Sequence, residues 1–205
     1  VFSADQAQKG LSLLAGKENT PIASELVTLC DDPMCEKVCC KAAFDAEGVA
    51  TYRKNVIEKG VFKTLLYNLK TAHKAGVKST GNAYRGSYKA KVSTAPFAFY
   101  IEPGTKTPEE MFADIGDGLY VTELNGMHAG ANAVTGDFSL AAKGFLIKDG
   151  KRDHAVKEIT LAGNFFSLLK SVEEVGKDLR FSTPAGTTQI GAPSLSVGEM
   201  TVAGE

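Results

Sequence analysis

Residues 118–150 read GLYVTELNGMHAGANAVTGDFSLAAKGFLIKDG, and this stretch decides the class of fold. Residues 119–124 and 138–147 alternate apolar with polar or small side chains, the period of a half-buried strand. Between them lie Asn125, Gly126, Gly130, Asn132 and Gly136, residue types that tolerate a positive φ. The pattern predicts strand, loop, strand. A loop so poor in large side chains cannot build its own core. It is either a long hairpin connection with no ligand or a surface on which an extended ligand lies.

Downstream, Lys148-Asp-Gly-Lys151 predicts a tight turn, because Asp-Gly accepts left-handed dihedrals, and residues 152–161 form the returning strand. Residues 163–172 predict a helix with Phe165, Leu168, Leu169 and Val172 inward. A short strand at 177–181, a loop at 182–191 and a strand at 194–202 complete this half. Upstream, residues 107–115 carry a capping Thr107, Pro108 at the first helical position, Glu109 and Glu110 against the positive end of the dipole, and Gly116 to finish. Before them, 96–102 alternates as a strand and Pro103-Gly104 turns the chain.

In the N-terminal half, Ser3 caps a predicted helix over 3–14 with Ala4, Ala7, Leu11 and Leu14 on one face. Residues 25–30 predict a strand stopped by Asp31-Asp32-Pro33. A turn at 44–48 leads into a hairpin of 49–58 with 61–66 through Lys59-Gly60. Residues 68–75 predict a two-turn helix with Gly76 as its C-cap, and 79–91 a basic loop or ragged strand carrying Tyr84 and Tyr88, in which a surface or peptide-lining role fits better than base stacking. Strands outnumber helices and most neighbours are antiparallel. The expected class is β-rich α+β, an antiparallel barrel or sandwich with short peripheral helices. Residues 1–205 read as one domain, 1–24 being the tail of a linker or helical segment of a longer protein.

A net charge of -1, with basic residues spread along the chain, gives no phosphate stripe, so direct nucleic-acid binding is not expected. No window approaches the roughly 20 apolar residues of a membrane span, and no basic-then-apolar leader opens the sequence; the reading is a cytoplasmic protein. His73, His128 and His154 are scattered, with no His-x-x-x-His pair to place two zinc ligands on a helix. Cys30, Cys35, Cys39 and Cys40 crowd one window without paired Cys-x-x-Cys knuckles, and read as thiols of a reducing compartment. No nucleophile elbow, phosphate loop or dinucleotide fingerprint occurs.

A run of short motifs carries a resemblance. Residues 23–29 with Asp31-Asp32-Pro33, then Phe44-Asp-Ala-Glu-Gly48, Ile57-Glu-Lys-Gly-Val61, Ser79-Thr-Gly-Asn-Ala83, Glu102-Pro-Gly104, Gly118-Leu-Tyr-Val-Thr122, Thr135-Gly-Asp-Phe138, Ala162-Gly-Asn164, Gly176-Lys-Asp-Leu179 and Ala192-Pro-Ser194 follow one another in order. The sequence resembles the TldD/PmbA family over nearly its whole length, and within it the C-terminal half of a PmbA/TldE-type subunit. The resemblance implies a bacterial cytosolic peptidase, historically named a modulator of DNA gyrase, assembled as a TldD–TldE heterodimer. It implies activity on leader peptides or unfolded proteins.

In the TldD-type partner a His-Glu-x-x-x-His helix and a later cysteine hold zinc. This sequence has no such helix, and no cysteine in Phe181-Ser-Thr-Pro-Ala-Gly-Thr-Thr-Gln189. The resemblance therefore implies no catalytic residue and no metal in this chain, with zinc in a TldD-type partner. The expected role is to hold an unfolded peptide through the edges of strands 119–124 and 138–147 and the loop between them. The expected peptide contacts are Tyr120, Thr122, Asn125, Gly126, Gly136, Asp137 and Phe138, and the expected assembly is a heterodimer or self-dimer. Two alternatives stand beside it: an adaptor acting on gyrase or a toxin–antitoxin system without proteolysis, and a hydrolase using the cysteine window.

Overall fold

Local chemistry places the first elements. The computed structural model describes residues 1–204, beginning with α1 (Ala4–Ala7), β1 (Leu29–Asp31), β2 (Lys54–Glu58) and β3 (Val61–Phe62). Lys59 and Gly60 take φ of 45° and 78° between β2 and β3, so the expected hairpin forms, though with shorter strands. Helix α2 (Leu69–Ala75) is fixed at one end by a capping box between Asn68 and Thr71 and at the other by left-handed Gly76. β4 (Ala83–Tyr84), β5 (Ser93–Thr94) and β6 (Ala98–Ile101) follow.

Next come α3 (Pro108–Ile115), with a Thr107–Glu110 capping box and with Met111 and Phe112 buried, β7 (Gly118–Asn125), α4 (Met127–Gly130), β8 (Asp137–Lys148) and β9 (Lys151–Asn164). Asp149 and Gly150 turn β8 into β9 with φ of 50° and 72°. α5 (Phe165–Lys170), β10 (Val172–Val175), β11 (Arg180–Phe181), β12 (Gln189–Ala192), β13 (Leu195–Val197) and β14 (Thr201–Ala203) complete the described chain.

Two compact units divide these elements. One comprises Val1–Glu102 with Leu179–Ala192; the other comprises Pro103–Asp178 and the chain from Pro193. The first holds a six-stranded sheet in the order β11-β12-β6-β1-β2-β3, antiparallel except where β12 runs parallel to β6. Its core includes Val56, Ile57 and Phe62, and a cluster of Cys30, Cys35, Val38, Ala98 and Tyr100. Full burial of side chains of this size stabilises by about 1.5–3 kcal/mol each. The second unit holds an antiparallel sheet in the order β14-β9-β8-β7 and the small β10–β13 pair. Leu119, Val121, Phe138, Ala142, Val156, Ile159, Leu161 and Met200 pack together on one face of that sheet.

The class is β-rich with few, short helices, and among the described residues no sheet closes into a barrel. Five local expectations are corrected. The helix over 3–14 is only α1: Gly10 takes φ of 74°, the Ser3 side chain does not cap, and Leu11 is left exposed while Leu14 is buried. The strand over 25–30 begins at Leu29, where pairing with β2 and β6 becomes possible. The loop over 182–191 ends in β12, which is made by its neighbour β6. The strand over 194–202 splits into β13 and β14, which join different sheets. Within 163–172, Leu169 and Val172 are buried but Phe165 and Leu168 are only half-buried, and Val172 begins β10.

Candidate functional site

Strand β7 is the outermost strand of its sheet. It pairs with β8 from Gly118↔Ile147 to Asn125↔Ala141, and no strand among the described residues pairs with its other side. An outer strand keeps one row of backbone donors and acceptors available for an added strand. From Ala141 to Ile147 β8 has none to offer, being taken by β7 on one side and β9 on the other, and in 137–140 the side away from β9 meets an isolated bridge from Ala131 to Phe138. The expectation that both strands present edges is corrected for residues 141–147 of β8, which lie inside the sheet.

The register of β7 on β8 slips between Val121 and Glu123, which makes Thr122 the bulged residue. Its hydroxyl donates to the Lys143 carbonyl at 3.2 Å. Gly144 allows the close approach there, since a Cβ would stand 1.9 Å from the Tyr120 carbonyl oxygen. Beyond the bulge the strand is exposed, and the Glu123 carboxylate is held by Lys143 Nζ at 2.8 Å and by Asn125 Nδ2 at 2.7 Å. Those two bonds pull its pKa below the usual carboxylate range, Lys143 having the larger effect.

The connection from Gly126 to Gly136 is ordered by its own polar groups. Gly126, at φ of 87°, starts α4 and its carbonyl accepts from Gly130 N. The Asn132 side chain accepts from Val134 N and Thr135 N, and its backbone closes on Asp137 and Gly136. Asn164 holds this turn from β9, donating through Nδ2 to the Thr135 carbonyl and to Asp137 Oδ1, while its Oδ1 caps α5. Leu124 near the end of β7, with Met127 and Val134 in this connection, projects apolar surface, at 42%, 64% and 36% exposure respectively. Side chains of that kind give an extended chain something to pack on.

The seven expected contacts fall in three groups. Thr122, Asn125 and Gly126 lie on the exposed end of β7 and its turn. Tyr120 packs its ring on Phe112, centroids 4.9 Å apart. Gly136, Asp137 and Phe138 stand on the opposite stem: buried Gly136 takes φ of 84°, Asp137 is bonded to Asn164, and Phe138 packs against the sheet's apolar cluster.

Along one face of the same sheet, Gly118, Leu119, Leu146, Ile147, Val156, Ile159 and Val202 line an open groove of about 690 Å³. Neither β9 nor β14 drew attention from the sequence as lining, because their contribution depends on pairing across the sheet.

Metal chemistry finds no ligand set in these residues. Among the described residues no three His, Cys, Asp or Glu side chains are grouped to hold an ion. The four cysteines are all free thiols.

The sequence motifs around Asp31, Asp45 and Asn82 have a structural explanation in the other unit. Fully buried Asp31 accepts from Lys54 Nζ at 3.1 Å, Asn82 Nδ2 at 2.6 Å and Phe97 N at 2.7 Å. Asp45 accepts from Glu47 N, Val49 N and Ala83 N, tying the 44–48 turn to β4. These acids are occupied in holding loops.

Comparison with known proteins gives consistent likenesses. The PmbA/TldA metallopeptidase C-terminal domain family matches residues 1–204. The metalloprotease PmbA of Escherichia coli O157:H7 is 33% identical over 190 residues, covering 93% of this chain and 38% of that protein. A crystal structure from Thermotoga maritima, described as that of a modulator of a DNA gyrase, superposes with a TM-score of 0.90 at 40% identity over 98% of this chain and 45% of the other. TldE from Thermococcus kodakarensis gives a TM-score of 0.90 at 31% identity, over 99% of this chain and 45% of its own. The chain thus spans less than half the length of each.

Proposed function

The chain belongs to the PmbA/TldA metallopeptidase family as its C-terminal domain, and on that premise we propose that it is the peptide-holding, non-catalytic part of a TldD/TldE-type metallopeptidase. The observation that carries this reading is the unpaired side of β7. An unfolded peptide laid along it gains main-chain hydrogen bonds that do not depend on its sequence. The exposed apolar side chains of Leu124, Met127 and Val134 add contact without selecting one partner side chain.

Catalytic metal in this reading belongs to a TldD-type subunit. The place of action in this reading is the cytoplasm, a reducing compartment that suits four free cysteines. Thr122, Asn125 and Gly126 contact the peptide directly. Tyr120, Gly136, Asp137 and Phe138 contribute mainly by fixing the two stems.

Photo-crosslinking an unfolded peptide to the assembled complex tests the reading. The expected labels fall on residues 120–127 and 134–138. Labels confined to other surfaces would overturn it, and so would purified full-length protein that captures gyrase without a companion subunit and supports no proteolysis.

A further inference from the structure

Cys39 and Cys40 are neighbours in sequence whose sulfur atoms stand 3.9 Å apart at the surface of the first unit. The other two thiols are buried. Cys30 sits in the core with no exposure, and burial pushes its thiol up to about 11; Cys35 packs in the same cluster. Oxidation of thiols follows ionisation and access, so reagents in solvent reach the exposed pair first.

The pair is also attached to something. Gln189, a buried amide on β12 lying 150 residues away in sequence, accepts through Oε1 from Cys39 N at 2.9 Å and from Cys39 Sγ at 3.2 Å. Its Nε2 donates to the Ser182 carbonyl at 3.0 Å. Cys40 Sγ lies 4.0 Å from the Gly186 carbonyl as a long, weak donor. Both thiols therefore face the segment 182–189, and their S–H groups are part of what holds it. A hydrogen bond with Cys39, followed by burial, raises the pKa of Cys40.

We propose that Cys39 and Cys40 are a reversible oxidation site, closed to a vicinal disulfide by a hydroperoxide, and that closure loosens residues 182–188 from this turn. One thiolate attacks the distal peroxide oxygen; the O–O bond breaks and leaves a sulfenic acid, with the departing alkoxide or hydroxide taking a proton. The second thiolate attacks the sulfenic sulfur and displaces hydroxide, which is protonated to water. The two thiols lose two electrons and two protons, and the peroxide is reduced to water and an alcohol, or to two waters. The sulfurs must close from 3.9 Å to the bond length of about 2.05 Å. A disulfide carries no S–H, so the thiol donors to Gln189 Oε1 and Gly186 O disappear together, and only the Cys39 backbone N–H still reaches Gln189 Oε1. This inference stands apart from peptide holding by β7.

The test treats full-length protein with hydrogen peroxide, alkylates the remaining thiols under native conditions, and maps peptides by mass. The expected product is the Cys39–Cys40 peptide lighter by two hydrogens, unalkylated, and restored by dithiothreitol. Proteolytic cleavage within 182–188 should rise severalfold in the oxidised sample and return to its starting rate on reduction. In Cys40→Ser, Cys39 should persist as a sulfenic acid trapped by dimedone. Alkylation of both residues after peroxide, a bridge to Cys30, Cys35 or a second molecule, or loop cleavage unchanged by oxidation would each overturn the proposal.

Discussion

Asp31 and Lys54 form an ion pair across β1 and β2, Oδ2 to Nζ 3.1 Å, with side chains 0% and 4% exposed. The pair gains its place through additional hydrogen bonds, because the two carboxylate oxygens also take Asn82 Nδ2 and Phe97 N. Asp31→Ala removes one charge, strands the ammonium of Lys54 and leaves two donors unpaired. The expected cost is about 3–5 kcal/mol, read from the urea midpoint of the full-length protein. A loss under about 1 kcal/mol would mean that water replaces the carboxylate there.

A second prediction concerns the bulge. A Cβ on Gly144 meets the Tyr120 carbonyl oxygen at 1.9 Å and Val121 Cα at 3.0 Å, both backbone atoms that cannot swing aside. Gly144→Ala should therefore push β7 from β8, at about 1–3 kcal/mol by analogy with overpacked cores. Amide exchange across Gly118–Asn125 should accelerate more than exchange in β9. Uniform acceleration through both strands would place the strain elsewhere.

Legibility in the sequence followed the range of the interactions. The β7–β8–β9 meander, the Asp149–Gly150 turn, α2 and α3 are specified by neighbours a few residues apart, so alternation, caps and turn chemistry identify them. β12 is different: in Gln189–Ala192 the buried positions are Gln189 and Gly191 while Ile190 is exposed, the reverse of an apolar-inward strand, and the segment becomes a strand by lying parallel to β6, some ninety residues earlier. Leu11 and Leu14 have helical spacing, but only Leu14 found a partner after the chain turned at Gly10. In the candidate site, the exposed end of β7 was readable as strand and loop, whereas its position at the sheet edge was not. Edge and interior strands share one local pattern. The Asp31–Lys54–Asn82 network was equally hidden, since its members are 23 and 51 residues apart.

Asn164 supports a third prediction, because it both caps α5 and grips the turn before β8. Asn164→Ala should lose about 0.5–2 kcal/mol for the cap. It should also change the response to acid. Hydrogen bonds from Asn164, and then Thr135, hold the Asp137 carboxyl below the usual carboxylate range. A depressed folded pKa contributes stability above the unfolded value, and that contribution fades as pH falls through the folded one. In the variant the Asp137 pKa should rise, measured by carboxyl NMR. The stability gap from wild type should be widest at neutral pH and narrow below about pH 4. A gap constant with pH would leave only the cap.

The last prediction separates main-chain pairing from side-chain contact at β7. Thr122 has no register partner on β8, so its substitution leaves the ladder's paired residues in place. Thr122→Pro removes a backbone donor and disfavours an added strand, as proline does on natural sheet edges. Thr122→Ala keeps the donor and removes only the hydroxyl that reaches the Lys143 carbonyl. One lost hydrogen bond of about 0.5–1.5 kcal/mol corresponds to roughly 2- to 12-fold in affinity. Unfolded peptide should therefore bind the assembled complex several-fold more weakly with proline, and within about twofold of wild type with alanine. The comparison is made by fluorescence anisotropy at matched folded fractions. If the two variants weaken binding equally, the threonine side chain makes the contact; if neither does, the peptide lies somewhere other than the free side of β7.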